Sequence, residues 1–288
     1  MKFPLFIFSI FTLIGFLVSE LRLDGRYFAL FMAMGASAAL MEYLVPKFPK
    51  LRQRMRLMLM FLIGGFLLGF LSIYKGVNFQ FSQIIFDACA GLSEGALIQL
   101  LIARIALPFI FGNGFCSRVC WDGLIFELIN KKIPKPLKAF QRSQKLAWFY
   151  LAAVTIMACI ISIEWNPAGN IVQKRFWVIG ENLFIIILGI ILTARFGSRA
   201  YCRMLCPFMS ISGLLSRFSI FKITPIRSNA CIKCQKCVKA CPMLIDVMAY
   251  VRQNRRIDHK NCIICERCVD ACPEKCLKLT WQHAARLS

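Results

Sequence analysis

The chain has 288 residues, of which 58% are hydrophobic and only 17% charged, and its mean hydropathy is +0.63. Soluble domains hold about 45–50% apolar and about 25% charged residues, so an ordinary soluble globule is excluded and most of this length must cross lipid. A net charge of +22 would raise nucleic acid as a partner in a soluble chain. Here the basic residues line membrane boundaries without interleaved exposed aromatics, which marks a positive cytoplasmic face instead.

Six apolar stretches approach the roughly 20 residues a helix needs to cross a bilayer: 3–19, 27–45, 57–74, 95–112, 146–164 and 176–194. The first has Lys2 ahead of it like a signal peptide. Val18-Ser19-Glu20 makes a poor cleavage site, however, so the stretch is expected to stay as a helix. Lysine and arginine set the orientation. The connections 46–56 and 113–145 carry twelve of them, whereas 20–26, 75–94 and 165–175 together carry five. This alternation predicts a multi-pass protein of the cell inner membrane with both termini in the cytoplasm.

Charges inside such spans cost several kcal/mol and point to function by default. Arg104 falls in mid-span and Glu181 inside the sixth span; an ion pair between them is the structural alternative to a proton-handling role. Asp87 and Glu94 are placed on the outer side. Glu42, near the inner end of the second span, is the candidate base for a quinol. Cys89 and Cys159 read as small core residues.

Two similar loops follow the fourth and sixth spans. Asn113-Gly114-Phe115-Cys116 is followed, three residues on, by Cys120; Arg199-Ala200-Tyr201-Cys202 is followed likewise by Cys206-Pro207. Each leads into an amphipathic stretch, Gly123–Ile129 or Met209–Phe218, so helix pair plus CxxxC is an internal repeat. Four thiols then lie at one depth, at the inner membrane boundary. Residues i and i+4 share a helix face, so Cys116, Cys120, Cys202 and Cys206 are candidates for redox or metal chemistry, with a third metal centre if the two pairs meet. Arg118 and Arg203, inside the loops, are expected to lower the thiol pKa values.

The segment 222–288 has thirteen Lys and Arg against five Asp and Glu, and no span. It carries Cys231, Cys234, Cys237 and Cys241-Pro242, then Cys262, Cys265, Cys268 and Cys272-Pro273. This is the spacing of the bacterial two-cluster ferredoxin, in which the fourth cysteine ligates the other cluster. Cys231, Cys234, Cys237 and Cys272 should therefore hold one 4Fe–4S cluster, and Cys262, Cys265, Cys268 and Cys241 the other, with each fourth cysteine at the start of a helix. Two zinc sites would leave the remaining cysteines and both prolines unexplained. Cys276 reads as core filler. So many thiolate ligands call for a reducing compartment.

Over residues 95–288 the paired CxxxC motifs followed by a ferredoxin motif resemble the NapH-type membrane quinol dehydrogenase subunits, and similarly NosR, MauN and CcoG; Glu164-Trp165-Asn166-Pro167 also looks like NapH. The resemblance implies electron transfer between quinol and a ferredoxin-like or haem partner. Two features depart from it: Trp121 stands where the family has proline, predicting a different turn in the first loop, and the first three spans exceed the four-helix plan of NapH.

The expected architecture is thus a membrane all-α helical bundle of about six transmembrane helices with a small α+β two-cluster ferredoxin-like domain. Residues 1–94 form an N-terminal transmembrane region, 95–221 a core with the two CxxxC loops, and 222–288 the cytoplasmic ferredoxin domain. The leading functional reading is an electron-transfer subunit using two 4Fe–4S clusters, with the quinone pool, membrane lipid and other redox subunits as partners. The basic ferredoxin segment suits an acidic partner or anionic lipid. A copper-reducing maturation factor working through the CxxxC dithiols, or a ferredoxin-bearing anchor whose CxxxC motifs are structural, are the alternatives.

Overall fold

The computed structural model describes residues 2–22, 25–68, 80–89, 100–129, 140–165 and 171–281. The chain forms two compact units, 1–68 and 69–288. In the first, α1 (Lys2–Arg22) packs against α2 (Gly25–Leu44), and α3 (Arg52–Leu59) continues in π-helical form through Leu68. Met34, Gly35 and Met41 are the buried positions of α2. Glu42 belongs to this unit, whereas all four CxxxC cysteines belong to the other.

Among its described residues, the second unit is mainly helical, with one two-stranded sheet. Its described elements begin with α4 (Phe81–Cys89) and a π-helical turn, Leu100–Ala106, that runs into α5 (Leu107–Phe111). There follow α6 (Gly114–Arg118), α7 (Trp121–Ile129), α8 (Phe140–Trp165) and α9 (Ile171–Phe196). Then come α10 (Ala200–Met204) and α11 (Pro207–Ser216). Among the described residues, four helical segments are long and apolar enough to cross a membrane: Pro4–Leu21, Gly25–Leu44, Leu146–Glu164 and Arg175–Phe196. The expected spans 57–74 and 95–112 are helical where described, 57–68 and 100–111, and lie otherwise outside the described residues. So do Glu94, Asn166 and Pro167. Phe149, Ile160, Ile163, Phe176 and Ile191 face outward on α8 and α9, as lipid-facing side chains do in a helix that buries only one stripe.

The two CxxxC loops share one backbone path. Gly112 (φ +52°) and Gly197 (φ +90°) stop the preceding helices with a conformation that favours glycine. A five-residue helix then carries the first cysteine, and Val119 (φ −128°, ψ −28°) and Leu205 (φ −124°, ψ −25°) end it alike. The amides of Cys120 and Cys206 donate back to Phe115 and Tyr201 carbonyls at 3.2 and 3.1 Å. Trp121 therefore opens α7 as Pro207 opens α11, and the expected difference between the turns does not arise. A tryptophan at the first helical position leaves its N–H among those that have no intrahelical partner anyway, so proline is not required there.

Beyond α11 lies the small α+β region. β1 (Lys222–Pro225) pairs antiparallel with β2 (Leu277–Thr280), Lys222 opposite Thr280. Between them lie α12 (Lys236–Lys239), α13 (Val247–Arg252) and α14 (Arg267–Asp270). Cys241 and Cys272 stand just past the one-turn helices α12 and α14, not at the start of a helix as the sequence suggested, because the following prolines open turns there.

This region is fastened to the loops through named polar contacts. Asn113 donates to the Lys260 carbonyl at 2.9 Å and to Ser216 Oγ at 3.2 Å. Arg118 donates to the Ile264 carbonyl at 3.1 Å and pairs with Glu266 at 2.8 Å. The central contact is Glu127 of α7, whose side chain is fully buried. Its Oε1 meets Arg199 Nε at 2.6 Å and its Oε2 meets Arg267 Nη2 at 2.7 Å. Arg199 also donates to the Cys116 carbonyl at 2.7 Å. One carboxylate thus joins both repeats to the ferredoxin region. Gly123 is needed here, since a Cβ at that position would lie 2.4 Å from Arg199 Nη1.

Removing one member of a fully buried ion pair leaves the other charge uncompensated, at a cost of about 3–5 kcal/mol. Glu127→Ala should therefore lower the unfolding free energy in detergent by about that amount. Arg267→Ala, which removes a side chain that is itself a quarter exposed, should cost clearly less. Equal losses would show that the pair with Arg199 is not the dominant contact.

Candidate metal and redox site

Two cavities lie in the ferredoxin region. Cys231, Cys234, Cys237 and Cys272 line one, with Cys276 and Val251 behind them. Cys241, Cys262, Cys265 and Cys268 line the other, against Ile223, Met243 and Ile263. Left-handed residues flank the middle cysteine of each loop, Lys233 and Gln235 around Cys234, and Ile264 and Glu266 around Cys265. They curl each loop around its cavity. The lining therefore mixes three cysteines of one motif with the fourth of the other.

The chemistry of this donor set fits an iron–sulfur cluster. Four sulfurs ring an apolar hollow that a thiolate-held cluster would fill. Burial pushes the Cys262 thiol up to about 12 and Cys241 up to about 11, and Cys268 well above its ordinary value. Burial in this second cavity opposes bare thiolates, and bound iron would compensate that charge. Among the described residues no three His, Cys, Asp or Glu side chains are gathered tightly enough to hold a single ion.

The four CxxxC thiols lie near enough to act on one another electrostatically. Burial raises Cys202 well above its ordinary value, Arg199 opposes this, and Cys206, Cys120 and Cys116 push it further up. Cys120 is raised to about 12 by burial and then by Asp122, and Cys206 to about 11 by burial and then by Cys116. The thiols are nevertheless raised overall. Arg118 reaches away to Glu266, whereas Arg203 donates to the Phe196 carbonyl at 3.0 Å and still lies near enough to Cys202 to favour its thiolate, an effect that burial outweighs.

Arg104 and Arg199 approach the thiols as well. Arg104 Nη1 lies 3.6 Å from Cys116 Sγ, and its guanidinium lies over the rings of Phe208 at 3.9 Å and Phe115 at 4.4 Å. Its Nε is buried without a hydrogen-bond partner. The alternative of an Arg104–Glu181 ion pair does not form; Arg104 faces the first loop. Asp122, whose carboxyl burial raises to about 6, accepts a 2.6 Å hydrogen bond from Gln80. Asp87, expected at the outer side, is buried and accepts from Gln83 at 2.7 Å.

Asp122, Glu127, Gln80 and Arg199 were not singled out from the sequence. Two carboxylates inside the apolar run Trp121–Ile129 were the available signal. Such groups are buried only with partners.

A cleft opens beside the second loop, lined by Trp148, Cys202, Arg203, Cys206, Lys260 and Asn261 among others, with about 480 Å³ of free space. It joins the start of the span Leu146–Glu164 to the ferredoxin region.

A family model described as a 4Fe-4S dicluster domain matches residues 224–273. A second, described as a 4Fe-4S binding domain, matches twice, over 95–139 and 180–225, so the internal repeat read from the CxxxC loops is also seen by comparison. The electron transport protein YccM of Escherichia coli (strain K12) is 29% identical over 54% of this chain and 48% of its own length. The methylamine utilization ferredoxin-type protein MauN of Paracoccus denitrificans is 26% identical over 51% of this chain and 54% of its own. The regulatory protein NosR of Stutzerimonas stutzeri is 25% identical over 62% of this chain and 27% of its own. The chain thus spans about half the length of YccM and MauN. No solved structure matches it. With a 4Fe-4S dicluster domain behind a duplicated 4Fe-4S binding domain, the chain is similar over about half its length to YccM and to the ferredoxin-type protein MauN, and over 62% of its length to NosR.

Proposed function

We propose that this protein passes electrons between the quinone pool and a redox partner, from the inner membrane, with both termini cytoplasmic. The observation that carries the reading is the continuity of one compact unit: two four-cysteine cavities, a four-thiol layer and a cleft at the start of a span, joined through Glu127. In this reading Cys231, Cys234, Cys237 and Cys272 hold one 4Fe–4S cluster, and Cys262, Cys265, Cys268 and Cys241 the other. The clusters supply one-electron transfer. The chain holds them apart from water and fixes their spacing from the membrane.

The CxxxC thiols Cys116, Cys120, Cys202 and Cys206 are proposed as ligands of a third iron–sulfur centre. A buried guanidinium with an unsatisfied Nε beside Cys116 favours an anionic group there. The repeat that carries these cysteines matches a 4Fe-4S binding domain. The quinone headgroup would enter the cleft, where Trp148 offers a flat apolar face and Arg203 and Lys260 offer donors to its oxygens. Glu42, in the other compact unit, is kept as the proposed quinol-side base.

Iron analysis tests the ligand sets. The intact protein should carry about twelve irons, and Cys116→Ala/Cys202→Ala about eight, with the ferredoxin clusters retained. An unchanged count of about eight in both would remove the third centre. Stopped-flow mixing of chemically reduced, anaerobically purified protein with a short-chain quinone tests the path. Fast reoxidation slowed at least about tenfold in the double variant is expected. Reoxidation at the same rate would leave the CxxxC layer structural, and no reaction at all would overturn the quinone reading.

The raised thiols set a pH dependence. A thiol whose folded pKa lies above its ordinary value of 9 keeps its proton through neutral pH. Cluster assembly must expel those protons, so iron uptake by the apoprotein should accelerate between pH 6.5 and 8.5. The same sign means that apoprotein stability is full below about pH 9 and falls as the pH rises toward the folded values. Uptake independent of pH would show that thiol deprotonation does not limit assembly.

A further inference from the structure

Two cysteines stand apart from the electron path. Cys89 ends α4, and Cys159 lies in the last third of α8. Their neighbours set the register of the two helices. Ser162 Oγ donates to the Phe86 carbonyl at 3.1 Å, and the Phe86 ring stacks on Trp177 at 5.0 Å with an interplanar angle of 10°. Phe86 and Ala158 are both fully buried in that cluster. Three residues along each helix, in opposite directions, Cys89 Sγ lies 2.6 Å from Cys159 Sγ.

Two thiol sulfurs so placed stand close to the bonded separation of about 2.05 Å. We infer that Cys89 and Cys159 form a disulfide that locks α4 onto α8. Each thiol gives up a proton and an electron, and the two sulfurs join. The electron pair and both protons pass to a protein disulfide donor, whose own S–S bond opens to two thiols.

Position supports this chemistry. Tyr150 is the residue of α8 that meets Tyr201 in the second CxxxC loop, at 6.4 Å between rings. Cys159 lies nine residues further, about 13 Å along the helix axis from that layer. It is five residues from Glu164, next to the lysine-poor connection 165–175. The sidedness is taken from that charge pattern, and disulfides form on the oxidising side of such a membrane. The other thirteen cysteines are accounted for by two four-cysteine cavities, the four-thiol layer and Cys276, so this pair is the remainder.

The test is a thiol count on the full chain. Cells making the protein are quenched in acid to trap thiols, denatured, and alkylated with N-ethylmaleimide before and after reduction. The intact mass should show thirteen of the fifteen cysteines alkylated before reduction and all fifteen after it. A peptide joining Cys89 to Cys159 should appear in the unreduced digest. In Cys89→Ser, all fourteen remaining cysteines should be alkylated without reduction. Fifteen alkylated positions before reduction, or a two-thiol deficit that persists in Cys89→Ser, would overturn the inference. Either result is independent of the quinone reaction, so it stands or fails separately from the electron-transfer reading.

Discussion

The arrangement of the second unit turns on the Glu127 carboxylate. A carboxylate removed from water requires opposite charge and hydrogen-bond donors on both of its oxygens. Here the donors come from two other places in the chain, Arg199 at the mouth of the second repeat and Arg267 on a one-turn helix of the ferredoxin region. The short helix that bears Glu127, the left-handed backbone at Arg199 (φ +57°) and the absence of a side chain at Gly123 all serve this contact. Once it forms, the distance from the thiol layer to the cluster cavities has little freedom. An electron carrier needs that constancy, because its rate depends on separations that do not drift.

Duplication explains how four thiols come to share one layer. Two copies of the same turn, each stopped by a glycine and restarted at the residue after a cysteine, face one another across the unit. Neither copy alone could hold a cluster. The pairing also leaves each repeat with a buried arginine near the sulfurs, Arg104 for the first and Arg199 for the second, though these stand at different points of the two sequences. Burial raises the thiols while guanidinium groups draw them down, and the balance favours neutral thiols until a cation replaces the protons.

Much of the outline was legible in the residues. The ferredoxin spacing and the repeat of CxxxC loops are each carried by short, local patterns. The turn after Cys120 was misread because proline was taken as necessary for it, whereas the backbone bonds to Phe115 close the same turn without one. Arg118 differs from its expected place for another reason: its side chain is long enough to leave the loop and reaches the Ile264 carbonyl and Glu266, whereas Arg203 stays near Cys202 but is outweighed there by burial.

Composition, spacing and charge pattern by themselves determined the membrane class, the iron–sulfur chemistry and the number of thiols in each group. Those properties depend on residue type and on separation along the chain. Only the tertiary structure decided which charges meet: Arg104 with Cys116, Gln80 with Asp122, Glu127 with two arginines 72 and 140 residues away, and Cys89 with Cys159. The physical reason is that burial makes a charge or a thiol depend on its neighbours in space, and a linear pattern carries no record of partners so distant in the chain.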